Sequence, residues 1–122
     1  MSEQMKALVK EGPHPGLVLV ERPIPKIESD EIRIRVEATS VCGTDLHIYN
    51  WDNWAQSKVA QPLIVGHEFC GEVIEVGSAV TRFSVGERVA AESHVFCGTC
   101  RYCREGQAHI CENEKIIGVQ RD

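Results

Sequence analysis

Four cysteines crowded into one short segment constrain this chain more than any other feature. Cys97, Cys100, Cys103 and Cys111 follow one another as C-x2-C-x2-C-x7-C. A loop carrying four sulfurs at these intervals can wrap one ion, and zinc takes such a set as a closed tetrahedron with no position left for chemistry. The role read from that closure is structural. Disulfides or unlinked buried thiols are the alternative, but thiols this dense in a reducing compartment point to a metal before a disulfide framework. His109 lies inside the same loop. Four sulfurs already complete the tetrahedron, so its imidazole is expected to face solvent.

The rest of the composition supports a reducing compartment. No apolar run approaches the roughly 20 residues that span a bilayer, and residues 1–10 lack the apolar centre of a secretory signal. The expectation is a cytoplasmic protein with no membrane contact. Against 18 acidic residues stand 13 Lys and Arg, a net charge of -5, and the basic residues form no run. A nucleic-acid partner is therefore not expected. With 122 residues the chain is expected to form one domain with its own core.

Period and punctuation give the fold class. Met5 to Lys10 and Leu17 to Glu21 read as strands around Gly12-Pro13-His14-Pro15-Gly16, a turn forced by paired prolines and glycines. Glu31 to Ala38 alternates charged and apolar residues with a period of two, the mark of a strand with one wet face. Gly66 to Val76 and Glu87 to Ala91 are further β-rich runs. One short helix is expected from about Thr44 through Ile48, with Thr44 or Asp45 capping it. The reading is a mainly β fold, a small barrel or sandwich with short helices and a four-cysteine loop. No glycines take the G-x-G-x-x-G spacing, so a dinucleotide-cradling turn is not expected within these residues.

A second constellation follows the alternating strand. Cys42, Thr44, Asp45 and His47 stand close together, with His67 and Glu68 some way downstream. One sulfur, one imidazole and one carboxylate suit a zinc that keeps a position open. Each residue also has an ordinary reading: a lone cysteine is often a small buried hydrophobe, and a lone histidine is often a surface group. Spacing alone leaves both readings open.

Gly66-His67-Glu68-Phe69-Cys70-Gly71, followed by Gly77 and Val80, resembles the signature of zinc-containing alcohol dehydrogenases. Cys42-Gly43-Thr44-Asp45 and the cysteine loop agree with it in order and separation. Over essentially its whole length the chain resembles the GroES-like barrel of the medium-chain family. That resemblance implies a catalytic zinc on Cys42 and His67, with Glu68 a direct or exchangeable ligand and a further ligand from beyond residue 122. It implies a structural zinc on Cys97, Cys100, Cys103 and Cys111. Asp45 would accept a hydrogen bond from the His67 nitrogen that faces away from the metal. Thr44 would pass the substrate proton toward His47, and Cys70 would be a packing thiol.

The stretch Leu46 to Ala55, with Trp51 and Trp54, resembles the threonine-dehydrogenase branch of that family, as does Glu92-Ser93-His94. Trp51 and His94 would then stand near a small-molecule alcohol substrate. Trp51 and Trp54, three apart on a possible helical turn, also admit a plain packing reading. The implied enzyme uses NAD, is a homo-oligomer when intact, and continues past Asp122 into a nucleotide-binding domain, so residues 1–122 alone are expected to be inactive.

Overall fold

In the computed structural model, which describes residues 3–122, chain order runs β1 (Gln4–Lys10), β2 (Val18–Pro23), β3 (Ile32–Thr39), α1 (Gly43–Asn50), α2 (Asn53–Lys58), β4 (Leu63–Ile64), β5 (Phe69–Val76), β6 (Arg88–Ala90), β7 (His94–Val95), α3 (Arg101–Arg104), a 3-10 turn at Ala108–Ile110, and β8 (Lys115–Ile116). The fold is mainly β with short helices. Three antiparallel sheets form it: β2-β1-β4, β3-β5-β6 and β7-β8.

The N-terminal hairpin forms as its turn residues demand, with Ala7 opposite Val20 and Leu8 opposite Leu19. The wet face of β3 is an ion-pair ladder. Arg33 stands opposite Glu75 and Arg35 opposite Glu72 in the β3–β5 register, both as salt bridges. Such partly exposed cross-strand pairs contribute at most about 1 kcal/mol each, so they fix register more than they stabilise. The apolar face of β3 is covered only in its first half: Ile32 and Ile34 are half-buried, whereas Val36 is 54% exposed. Gly71, on β5, lies so close to β3 that a Cβ there would come within 2.1 Å of the Arg35 carbonyl oxygen. Only glycine fits this approach.

Three expectations need correction. The run from Gly66 does not begin as a strand. Gly66 takes φ +112°, a conformation open to glycine, and β5 starts only at Phe69. Second, α1 is capped by Cys42, not by Thr44 or Asp45. The Cys42 sulfur accepts from the Thr44 N–H at 3.3 Å, and Asp45 reaches back to the Cys42 N–H at 2.9 Å, a capping box with sulfur in place of a hydroxyl. Third, Trp51 and Trp54 do not share a helical turn. Trp51 ends α1 in the left-handed region at φ +56°, and Trp54 belongs to α2, which Asp52 caps through the Ala55 N–H at 3.1 Å.

The core packs beside the helices. Ile48, Ala55, Val59, Leu63 and Val119 are buried together, with Leu17, Trp51, Val65 and Ile116 packed against them. Through Ile48 this cluster seats α1, which carries Asp45 and is capped by Cys42, two members of one candidate metal group. Among the described residues no helix is long and apolar enough to cross a membrane.

Candidate metal centres

The cysteine loop closes on itself as its spacing predicts. The sulfurs of Cys97, Cys100, Cys103 and Cys111 lie within 4.8 Å of one another, with Cys97–Cys111 at 3.5 Å and Cys100–Cys111 at 4.0 Å. Sulfurs on the corners of one zinc tetrahedron are about 3.8 Å apart, given a bond length of about 2.3 Å. The observed separations straddle that value, all six cysteines are unpaired, and the donor set fits zinc. One turn of helix, α3, and the 3-10 turn shape the loop. Backbone N–H groups aim at its sulfurs: Cys100 at Cys97 (3.4 Å), Cys97 at Cys111 (3.3 Å) and Asn113 at Cys111 (3.4 Å).

Those donors split the thiols electrostatically. Hydrogen bonds from the Thr99 and Cys100 backbones hold the Cys97 thiol down at about 5, and donors from Cys103 and Glu112 lower that of Cys100. Loss of solvent, with the neighbouring sulfur of Cys100, pushes Cys103 up to about 12. A cation placed among them reverses the cost at Cys103, because a coordinating thiol is deprotonated outright. His109 is exposed, as expected.

The second group is assembled from two distant segments. The Cys42 sulfur, at the N-terminus of α1, stands 3.1 Å from Nε2 of His67. A sulfur and a nitrogen sharing one tetrahedral zinc would be about 3.5 Å apart. Asp45 completes the group, its Oδ1 3.6 Å from Nδ1 of His67, with both side chains about nine-tenths buried. That distance exceeds a formed hydrogen bond, and Nδ1 is a buried atom without a partner. The ring therefore turns Nε2 to the sulfur and Nδ1 to the carboxylate, the orientation a metal-ligating histidine needs. Gly66 makes this possible: its positive φ turns the chain into His67, and Gly118 packs on it so tightly that a Cβ there would sit 2.2 Å from the Gly66 carbonyl oxygen.

Cys42, Thr44, His67 and Glu68 line one open cavity of about 700 Å³, and Glu92 and His94 stand on its wall. Glu68 is exposed and is not gathered with Cys42 and His67; its carboxylate instead accepts from the Ser40 hydroxyl. His47 does not line the cavity. Its Nδ1 bonds the Asp52 carboxylate, and its ring tilts against Trp54 with centroids 5.6 Å apart. Donors from Ala55 and His47 hold the Asp52 carboxyl below its usual range. Trp51 does not line the cavity either, and packs against the core. Cys70 does, half-buried on β5.

Three further residues take roles that the sequence alone does not assign. Glu92 accepts from both the backbone N–H (3.0 Å) and Nδ1 (2.6 Å) of His94, which lowers the Glu92 pKa and fixes the ring. Asp52 serves His47 and α2 at once, a role its place ahead of Ala55 as a capping acid could have signalled. Ser40 gives no signal in sequence, because its contact with Glu68 exists only once β3 and β5 pair.

The sequence pattern of the alcohol dehydrogenase GroES-like domain matches residues 28–119. The chain belongs to that family. Within it, the chain is 52% identical over 121 residues to an L-threonine 3-dehydrogenase of Rhizobium rhizogenes, covering 99% of this chain and 35% of that protein. Among solved structures, it is 32% identical to the cobalt- and zinc-bound thermostable alcohol dehydrogenase of Pyrobaculum aerophilum, with a TM-score of 0.82 over 98% of this chain and 36% of that one. It is 37% identical to a short chain alcohol dehydrogenase of Escherichia coli CFT073 complexed with NADH, with a TM-score of 0.85 over 98% of this chain and 33% of that one. The chain thus spans about a third of the length of the relatives it matches.

Proposed function

We propose that this GroES-like domain is the zinc-carrying part of an NAD-dependent L-threonine 3-dehydrogenase, which oxidises the secondary alcohol of threonine to 2-amino-3-oxobutanoate. The observation that carries the reading is the convergence of Cys42 Sγ and His67 Nε2, 3.1 Å apart, at an open cavity. A structural site has no use for that opening. In this reading Cys42 and His67 hold a catalytic zinc, Glu68 serves as an exchangeable ligand, and Cys97, Cys100, Cys103 and Cys111 hold a structural one. Bound zinc supplies Lewis acidity that makes an alcohol easier to deprotonate.

The chain's own residues do the rest. Asp45 keeps the proton of His67 on Nδ1, leaving Nε2 free for the metal. Thr44, on the cavity wall, takes the alcohol proton at its hydroxyl and hands it along the same helix face to His47, three residues on. His47 is held by ionised Asp52 and is exposed to solvent, where the proton leaves. Glu92 orients His94 toward the polar end of the substrate. The hydride acceptor, NAD, binds outside these residues, which hold no glycine fingerprint for it; the intact enzyme is taken to be a cytoplasmic homo-oligomer.

The test is turnover by the full-length enzyme, with L-threonine, sorbitol, butanediol and ethanol compared at equal concentration with NAD. Threonine is expected to give the highest kcat/KM. A preference for a polyol or a simple alcohol overturns the substrate assignment.

A further inference from the structure

Lys10 is the largest fully buried side chain among the described residues, at 0% exposure. Lysine is almost never buried without a partner. Here the partners are neutral: the ammonium donates to the carbonyl oxygens of His14, Gly16 (3.1 Å) and Tyr49 (3.2 Å). It also stands over the Trp51 ring, 5.1 Å from its centroid. Burial pulls its pKa below that of an ordinary lysine. An apolar residue would fill this space at lower desolvation cost, so the geometry has to be what the charge provides.

That geometry lies at the corner between α1 and α2. The last carbonyls of a helix have no partner of their own, and Tyr49 O receives two donors from the N-terminal hairpin, Lys10 Nζ and the Gly16 N–H at 2.8 Å. A positive charge at a helix C-terminus is favoured by the peptide dipoles. Trp51 holds a left-handed conformation that is unfavourable for a non-glycine residue, and the cation over its ring offsets part of that cost. Directly after it comes Asp52, which caps α2 and accepts from His47.

We propose that Lys10 is a positioning residue for the His47 end of the site: its ammonium clamps the α1–α2 corner, which sets Asp52 and through it the imidazole of His47. The clamp stands on geometry alone; its importance for proton transfer rests on the dehydrogenase reading above. Lys10 touches neither substrate nor metal position, and acts only through the corner.

The experiment is NMR on the zinc-loaded chain and its Lys10→Met variant at one fixed pH. In the variant, amide exchange at residues 49–53 is expected to accelerate about tenfold or more through local opening, with exchange across β3–β5 unchanged. The ¹⁵N shift of His47 Nδ1 is expected to move toward that of a free imidazole, and the Trp51 indole resonance to shift. An unmoved His47 signal, or exchange that accelerates equally everywhere, overturns the proposal, since either would mean that Lys10 only stabilises the fold. Should Lys10→Met fail to fold, the wild-type chain still decides: a clamped ammonium gives a slowly exchanging ¹H–¹⁵N signal near neutral pH, and its absence refutes the clamp. A wrong substrate assignment would alter none of these signals.

Discussion

The two candidate metal groups of this chain are built on opposite plans. The cysteine loop draws four like donors from one contiguous segment and needs only local backbone, α3 and the 3-10 turn, to close. The Cys42–His67 group draws unlike donors from the start of α1 and the run before β5, and exists only because the β3–β5 pairing, the Gly66–Gly118 contact and the seating of α1 by Ile48 bring them together. The first is complete and closed. The second stands open on a cavity, with Glu68 held off by Ser40. Closure favours affinity, and openness favours chemistry.

The largest effect expected from this contrast is the removal of one ligand. Cys103→Ser should weaken zinc binding by the loop by more than the 10–100-fold typical of losing an outer partner, and leave the Cys42 group loaded; Cys42→Ser should do the converse. Metal counting on the two purified variants checks it, and loss of both ions from either one would mean that the groups are not independent.

A smaller effect is expected at Asp45. Asp45→Asn keeps an oxygen for the Cys42 N–H and so keeps the cap, but removes the charge facing His67 Nδ1. Zinc affinity at the Cys42 group should fall about 10–100-fold, with helix content and the loop metal unchanged. Competition with a coloured chelator reads this, and an unchanged affinity would reduce Asp45 to a capping residue.

The third effect belongs to the zinc-free protein. Cys97, held at about 5, is a thiolate at pH 7, and Cys103, pushed up to about 12, is a thiol. Brief alkylation at pH 7 should mark Cys97 well before Cys103, read by peptide mass mapping. The linked stability follows in sign. The folded pKa of Cys97 is depressed, so its contribution is present above the unfolded value of 9.0 and is lost as pH falls toward 5. That of Cys103 is raised, so its contribution is present below 9.0 and is lost as pH rises toward 12. Zinc-free stability should therefore climb from pH 5 to 9 and decline above it, and a monotonic melting profile would contradict the split.

What sequence reveals follows the same contrast. The loop is fully legible, since its spacing alone dictates how four sulfurs can meet. The hairpin and the strand at β3 are legible because turn residues and period-two alternation are local signals. Cys42 and His67 become a pair only through the family resemblance, and Glu68's tie to Ser40 only through the β3–β5 register. Cys42 as a cap was hidden because cysteine is not an expected capping residue, and the break between Trp51 and Trp54 because a left-handed tryptophan has no sequence signal. Lys10 ends a strand like any surface lysine until the hairpin turn and α1 close over it.

Tighter zinc binding by the closed loop than by the open group is read by titrating a weak chelator against zinc-loaded protein, with the Cys42→Ser and Cys103→Ser variants assigning each release step. A contiguous set of four thiolates should outlast a mixed, open one. The zinc at Cys42 and His67 is expected to leave first and the loop zinc second; release of the loop zinc first would overturn the contrast between the two groups.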